Sequence, residues 1–210
     1  MIFETASFIL NSEIPLKIIQ SKKLLRTRAS SFRQGMGEVV RKDASKAAVM
    51  HFLGEISINP NAIVSLYWPF GDELDCRGLI KPLIQKGCEV CLPVLRGANN
   101  PLVFRTFTGE ENLVTAAFGT SEPGLEGRDV VPDVMVLPLL GFDKTGARLG
   151  YGKGYYDRTI AQMAKKPELI GLAFAGQEID SIPVSAHDVP LEKIVTEQGI
   201  RHFQNKENSE

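Results

Sequence analysis

The chain has 210 residues, enough for one domain with a sizeable core or at most two small ones. With 43% hydrophobic and 23% charged residues it has the composition of an ordinary globular protein, and its net charge of -1 excludes a general basic field for nucleic acid. Cys76, Cys88 and Cys91 are an odd set with no extracellular framework, which points to a reducing compartment.

The opening stretch "MIFETASFILNSEIP" has neither the basic start nor the long apolar run of a signal peptide. No segment approaches the roughly 18 apolar residues of a membrane span. A cytoplasmic protein with no membrane or nucleic-acid partner is expected. Residues 17–33 read as a helix, with Ile18, Leu25, Ala29 and Phe32 on one stripe and basic residues filling the rest. A second helix is expected over 36–53. The rhythm then changes. "AIVSLYW" is a short buried strand closed by Pro69 and Gly71. "DELDCRGLIKPLIQKG" reads as a helix ended by Gly87 and locally disturbed by Pro82. "CEVCLPVL" is the next strand, completing a unit of the length of a right-handed crossover. It contains a Cys-x-x-Cys, but residues three apart on a strand face opposite ways, and a second ligand pair for zinc is missing.

"PLVFRTF" is a further strand, and 108–132 read as a long irregular segment of the kind that is more often functional than idle. "DVMVLPLL" is a strand, and a glycine-rich loop follows it directly. Tyr156, Ile160, Met163 and Ala164 fall at helical spacing, so a helix opens near Tyr155. "ELIGLAFA" and "EKIVTE" are the last strands, and 204–210 form a polar tail. Strands alternating with helices predict a three-layer α/β fold, a largely parallel central sheet flanked by helices. Ligands in such folds sit at the carboxyl ends of the strands. The expected division is an N-terminal extension over 1–20, a single domain over 21–203, and the tail.

The loop "RLGYGKGYYDR", Arg148 to Arg158, holds three alternating glycines between a strand and a helix. Glycines let backbone N–H groups turn toward an anion, and the helix N-terminus adds its dipole. Arg148 and Lys153 supply mobile positive charge on either side. The alternative is a tight turn with solvated basic residues. A Walker loop is excluded, because Gly154 follows Lys153 and Ala147 stands where the first glycine belongs. A dinucleotide fingerprint is excluded by the G-x-G-x-G spacing.

The longer stretch "LPLLGFDKTGARLGYGKGYYDR", Leu137 to Arg158, resembles the signature of the 5-formyltetrahydrofolate cyclo-ligase (methenyltetrahydrofolate synthetase) family. "KKLLR", Lys22 to Arg26, resembles that family's N-terminal lysine–arginine helix. "GDELD" resembles its acidic motif, and "IPVSAHDVPLEKIVTE" its closing segment. The likeness runs from about Ser21 to Glu197. Residues 1–16 have no clear counterpart, and Trp68 and Pro69 stand where the family is variable. The resemblance implies ATP- and Mg²⁺-dependent closure of 5-formyltetrahydrofolate to 5,10-methenyltetrahydrofolate; a monomer is expected.

Such chemistry needs cations, Mg²⁺ and a folate clamp, but no protein nucleophile. The resemblance implies that Lys22, Lys23, Leu24, Leu25 and Arg26 bind ATP, together with Arg148, Leu149, Gly150, Tyr151, Gly152, Lys153, Gly154, Tyr155 and Tyr156. Arg148 and Lys153 would be the catalytic cations. Lys22 and Arg26 lie four apart, on one helix face; a solvated basic face is the alternative. Tyr156 also heads an apolar stripe, so core packing competes for it. Asp157 and Asp188 are the implied Mg²⁺ ligands, and two carboxylates with phosphate oxygens and waters suit that ion. For Asp157 the alternative is helix-dipole complementation. Asp143 is a rival ligand, although "FDKTG" also reads as a turn. Glu73 would grip the pterin through paired hydrogen bonds, or else serve as an acid at a helix start. Trp68 would stack on the pterin or pack in the core. His51, His187 and His202 pair with no nucleophile and receive no role. A second function class is a non-catalytic nucleotide-binding module on the same fold, which would have no use for Glu73 beside Asp188. A sugar-phosphate isomerase or CoA transferase rests on fold analogy alone.

Overall fold

The computed structural model describes residues 3–116 and 119–203; the expected tail over 204–210 lies outside them. Two helices come first, α1 (Phe3–Gly35) and α2 (Glu38–Glu55). Next come β1 (Ile63–Ser65), α3 (Ile80–Gln85), β2 (Glu89–Val94) and β3 (Val103–Thr106). Then follow β4 (Leu113–Thr115), β5 (Ser121–Pro123), β6 (Asp129–Val130), β7 (Val134–Pro138), β8 (Gly141–Phe142) and β9 (Arg148–Leu149). The chain continues through α4 (Tyr155–Gln162), β10 (Glu168–Leu172), β11 (Lys193–Thr196) and β12 (Gly199–His202).

Eight strands make one sheet in the order β12-β11-β10-β7-β1-β2-β3-β6. The neighbours β11, β10, β7, β1 and β2 run parallel, and the outer pairings are antiparallel. Period-two alternation sends Val134 and Val136 to one face and Met135 and Leu137 to the other. The first face, with Val64, Val90 and Ile170, packs on Ala48 and Phe52 of α2 and Leu83 of α3. The second packs on Ile160 of α4. Helices thus cover a mostly parallel sheet on both sides, as the strand–helix alternation predicts. Cys88 and Cys91 fall in different faces, and all three cysteines are buried and unbridged.

Three elements differ from the sequence reading. α1 begins at Phe3 rather than at Lys17, because an existing helix adds residues without a new nucleation cost. Its inward stripe matches the apolar one expected at Leu25 and Ala29 but takes in two cations as well. Lys22, Ala29 and Arg33 are buried, whereas Phe32 is 41% exposed and rests on Gly176. The expected helix over 72–87 starts only with a 3-10 turn at Arg77–Leu79, because the Asp75 side chain accepts the Arg77 N–H at 3.0 Å and fixes a turn first. Within the expected irregular segment, β4 and β5 form a small hairpin and β6 joins the sheet edge.

The order of strands sets the site. From β1 the chain moves to β2 on one side, and it later returns to β7 on the other. Beyond the carboxyl ends of β1 and β7 the connections therefore diverge and leave a crevice.

Candidate active site

A cleft of about 500 Å³ occupies that crevice. Tyr67, Trp68 and Glu73 reach it from the end of β1, Pro93 and Leu95 from β2, and Pro138 from β7. Lys22 and Arg26 reach it from α1. Residues 148–157 run along it, and Asp188 closes the rim.

The glycine loop takes its shape from two left-handed residues. Gly152 has φ +91°, and a Cβ there would stand 3.0 Å from the Arg26 guanidinium carbon. Gly154, the N-cap of α4, has φ +65° and passes just as closely to Arg158. Arg26 Nε donates to the Gly150 carbonyl at 2.9 Å and so ties α1 to the loop. Lys22 and Arg26 share one helix face, whereas Lys23 and Leu24 are rotated out to solvent and Leu25 packs on the β8–β9 hairpin. None of these last three residues lines the cleft.

Arg148 is not the mobile cation its sequence position suggested. Its side chain is buried; Nη1 donates to the Val189 carbonyl, and Nη2 pairs with Asp157 Oδ1 at 2.5 Å. Burial lowers its pKa despite the nearby Asp157 and Asp188. Lys153 is exposed on the loop. Tyr155 and Tyr156 both line the cleft and pack against the core, so the two readings of Tyr156 coexist.

The acids divide cleanly. Asp157 Oδ1 accepts from Arg148 and, at 3.2 Å, from the Val189 N–H. Asp188, one residue earlier, uses Oδ2 for the Lys22 ammonium and for the Ser185 N–H and hydroxyl at 2.7 and 2.9 Å. Burial pushes the Asp188 carboxyl up, but the bonds from Lys22 and Ser185 outweigh it and leave the group below the ordinary range. Each carboxylate thus engages its protein donors through one oxygen, and the Val189 N–H holds the two acids together. This donor set fits a hard cation that shares phosphate oxygens. Among the described residues no group of three or more His, Cys, Asp or Glu side chains converges as a metal cage. Asp143 is 2% exposed and accepts from the Thr145 and Ala147 N–H groups and the Thr145 hydroxyl through Oδ1, and from the Ile182 N–H through Oδ2. It is a turn residue of the β8–β9 hairpin.

Glu73 is half-buried in a turn and does not open a helix. Oε1 accepts from the Tyr151 hydroxyl, and Oε2 from the Phe70 N–H at 3.0 Å. Burial raises its pKa against these bonds. Trp68 lines the cleft, stacks on Phe107 at 6.0 Å and lies under the Arg77 guanidinium.

The model of the 5-formyltetrahydrofolate cyclo-ligase family matches residues 18–197. The chain belongs to this family. It is 31% identical over 178 residues to 5-formyltetrahydrofolate cyclo-ligase of Haemophilus influenzae, covering 82% of this chain and 95% of that protein. It is 32% identical over 185 residues to the enzyme of that name from Mycolicibacterium smegmatis, covering 84% and 94%. The solved structure of Aquifex aeolicus 5,10-methenyltetrahydrofolate synthetase superposes with a TM-score of 0.76 at 28% identity, covering 90% of this chain and 96% of that one. That of the Mycoplasma pneumoniae synthetase, at 22% identity, shares the fold with a TM-score of 0.69.

Sequence reasoning passed over several cleft residues of this family member. Tyr67, Pro93, Leu95 and Pro138 line the cleft because they stand at strand ends, which the strand assignments alone could have indicated. Ser121 and Glu122 come from the unrecognised hairpin. Arg33, buried beside the cleft, lies seven residues beyond Arg26 on the same helix face.

Proposed function

We propose that the protein converts 5-formyltetrahydrofolate to 5,10-methenyltetrahydrofolate, with ATP converted to ADP and phosphate. The observation that carries this reading is the convergence of the glycine loop, the Asp157–Asp188 pair and Glu73 on one cleft of a cyclo-ligase fold. The formyl oxygen attacks the γ-phosphorus and ADP leaves. The neighbouring nitrogen of the same folate then attacks the activated carbon and gives up its proton to solvent. The carbon–oxygen bond breaks, and the oxygen departs within phosphate. Because the ring closure is intramolecular, fixing the folate in one shape supplies much of the rate.

In this reading the loop N–H groups, Lys22, Arg26 and Lys153 receive the triphosphate. Arg148 acts through the loop it anchors. Glu73 accepts the pterin's paired donors, and Trp68 forms an apolar wall. Asp157 and Asp188 would hold Mg²⁺, which neutralises phosphate oxygens when bound. Residues 21–203 act as one catalytic domain. A monomer is part of this reading. Among the described residues no helix is long and apolar enough to cross a membrane.

The test is to mix the purified protein with 5-formyltetrahydrofolate, ATP and Mg²⁺ and follow the near-ultraviolet band of the methenyl product. A band that requires all three additions is expected. Its absence, with ATP bound and folate not, would favour the non-catalytic module.

A further inference from the structure

We infer that Tyr151 couples the two halves of the cleft: its hydroxyl holds Glu73 until a folate displaces it, and the loop that carries it is then released to close on the nucleotide. The inference rests on the proposed placement of the pterin at Glu73 and of phosphates at the glycine loop. Tyr151 stands in the middle of that loop, between Gly150 and Gly152. Its side chain nevertheless reaches out of the phosphate half. The hydroxyl donates to Glu73 Oε1 and accepts from Arg33 Nη2 at 3.0 Å. Arg33 is fixed in turn by Asp72 at 2.5 Å, and its guanidinium carbon lies 5.7 Å from the centre of the Tyr151 ring. The Phe70 N–H occupies the second Glu73 oxygen. Both acceptor oxygens of the acid are therefore engaged. A carboxylate oxygen has two lone pairs, so the Phe70 N–H can stay on Oε2. The donor that a paired ligand competes with is the Tyr151 hydroxyl, carried by a side chain that lines the cleft beside Glu73.

The surroundings permit that hydroxyl to be displaced. Tyr151 is 49% exposed and is not a core side chain. Gly152 at φ +91° and Gly150, where a Cβ would meet nothing within 4 Å, flank it with pliable backbone. A second cavity of about 470 Å³, containing Arg33 and Arg41, shares Tyr151 and Phe70 with the main cleft. Tyr151 thus forms part of the wall of both spaces, with Arg33 on the side of the second. Linkage makes the effect reciprocal: a nucleotide that draws the loop inward also removes the hydroxyl from Glu73, and each ligand then favours the other.

The experiment is calorimetric titration of 5-formyltetrahydrofolate into the full chain and into its Tyr151→Phe variant, with and without a non-hydrolysable ATP analogue and Mg²⁺. Phenylalanine keeps the ring and removes the competing hydroxyl. The analogue should tighten folate binding to the unaltered protein by about tenfold, within the usual range of coupled sites. Y151F alone should bind folate about three- to tenfold more tightly, the worth of one lost competing hydrogen bond. In Y151F the analogue should add less than about twofold. Weaker folate binding by Y151F, or coupling equal to that of the unaltered protein, would overturn the inference. Glu73→Gln separates the underlying reading. Undiminished folate affinity in E73Q removes Glu73 from the folate site and the coupling with it. Reduced affinity in E73Q beside unchanged coupling in Y151F overturns the coupling alone.

Discussion

Arg148 and Asp157 form an ion pair across the glycine loop, from β9 to the first turn of α4, and its two ends are unequally buried. The Arg148 side chain is 7% exposed and the Asp157 side chain 28%. Asp157 is therefore both the partner of a buried cation and the proposed ligand of a metal, and the two roles leave different marks when it is changed.

Asp157→Asn should produce both marks. Asparagine keeps an acceptor for Arg148 and the Val189 N–H but leaves the guanidinium charge uncompensated. Since Asp157 is partly solvated, the stability loss should be about 1–3 kcal/mol rather than that of a fully buried pair. The Mg²⁺ concentration for half-maximal activity should rise. Thermal melts read the first effect and Mg²⁺ titrations the second. A lower melting temperature with an unmoved titration would make Asp157 only the partner of Arg148.

Asp143→Asn should behave otherwise. Three N–H groups and one hydroxyl point at a carboxylate that is almost wholly buried. An amide nitrogen in place of one oxygen would face a donor. A loss on the order of 2–4 kcal/mol is expected. The Mg²⁺ requirement of the protein that remains folded should not change. A shifted titration would return Asp143 to the metal site.

Glu73 gives a pH prediction with opposite signs for activity and stability. Burial raises its pKa in the unliganded protein. Between the ordinary and the raised value the folded state holds a proton that the unfolded state has lost. The contribution of Glu73 to stability is therefore present below the unfolded pKa and is lost as pH rises through the folded one. The proposed pterin contact needs the carboxylate, so kcat/KM for folate should fall as pH drops through the same window. Glu73→Gln should abolish that acid limb and weaken folate binding more than ATP binding. An acid limb that persists unchanged in E73Q would belong to another group.

Legibility followed the range of the interactions. Lys22 and Arg26 could be paired from spacing because a helix repeats locally, and Arg33 was reachable by extending the same face. The glycine loop and Asp157 lie in one long motif whose residues adjoin in space as in sequence, whereas Asp188 comes from the separate closing segment. Glu73 was placed on the wrong element because an Asp75 side chain, not an apolar period, decides where the helix starts. The strands β4, β5, β6, β8 and β9 have two or three residues each, too few for a period of two to register. The burial of Arg148 depends on Val189, 41 positions away, and no local pattern encodes it.

The buried cysteines also make the protein a record of its own opening. Burial pushes the thiols of Cys76 and Cys91 up to about 12, and that of Cys88 upward as well. In the native state the two most buried are thus nearly devoid of reactive thiolate at neutral pH. Cys76 and Cys91 lie beneath opposite faces of the sheet, so a thiol-trapping reagent samples separately the layer covered by α2 and α3 and the layer covered by α4. Trapping of both at one common rate would mean that the layers separate together. A faster rate at Cys91 would mean that α4, the helix leading out of the glycine loop, lifts away while the other layer stays closed.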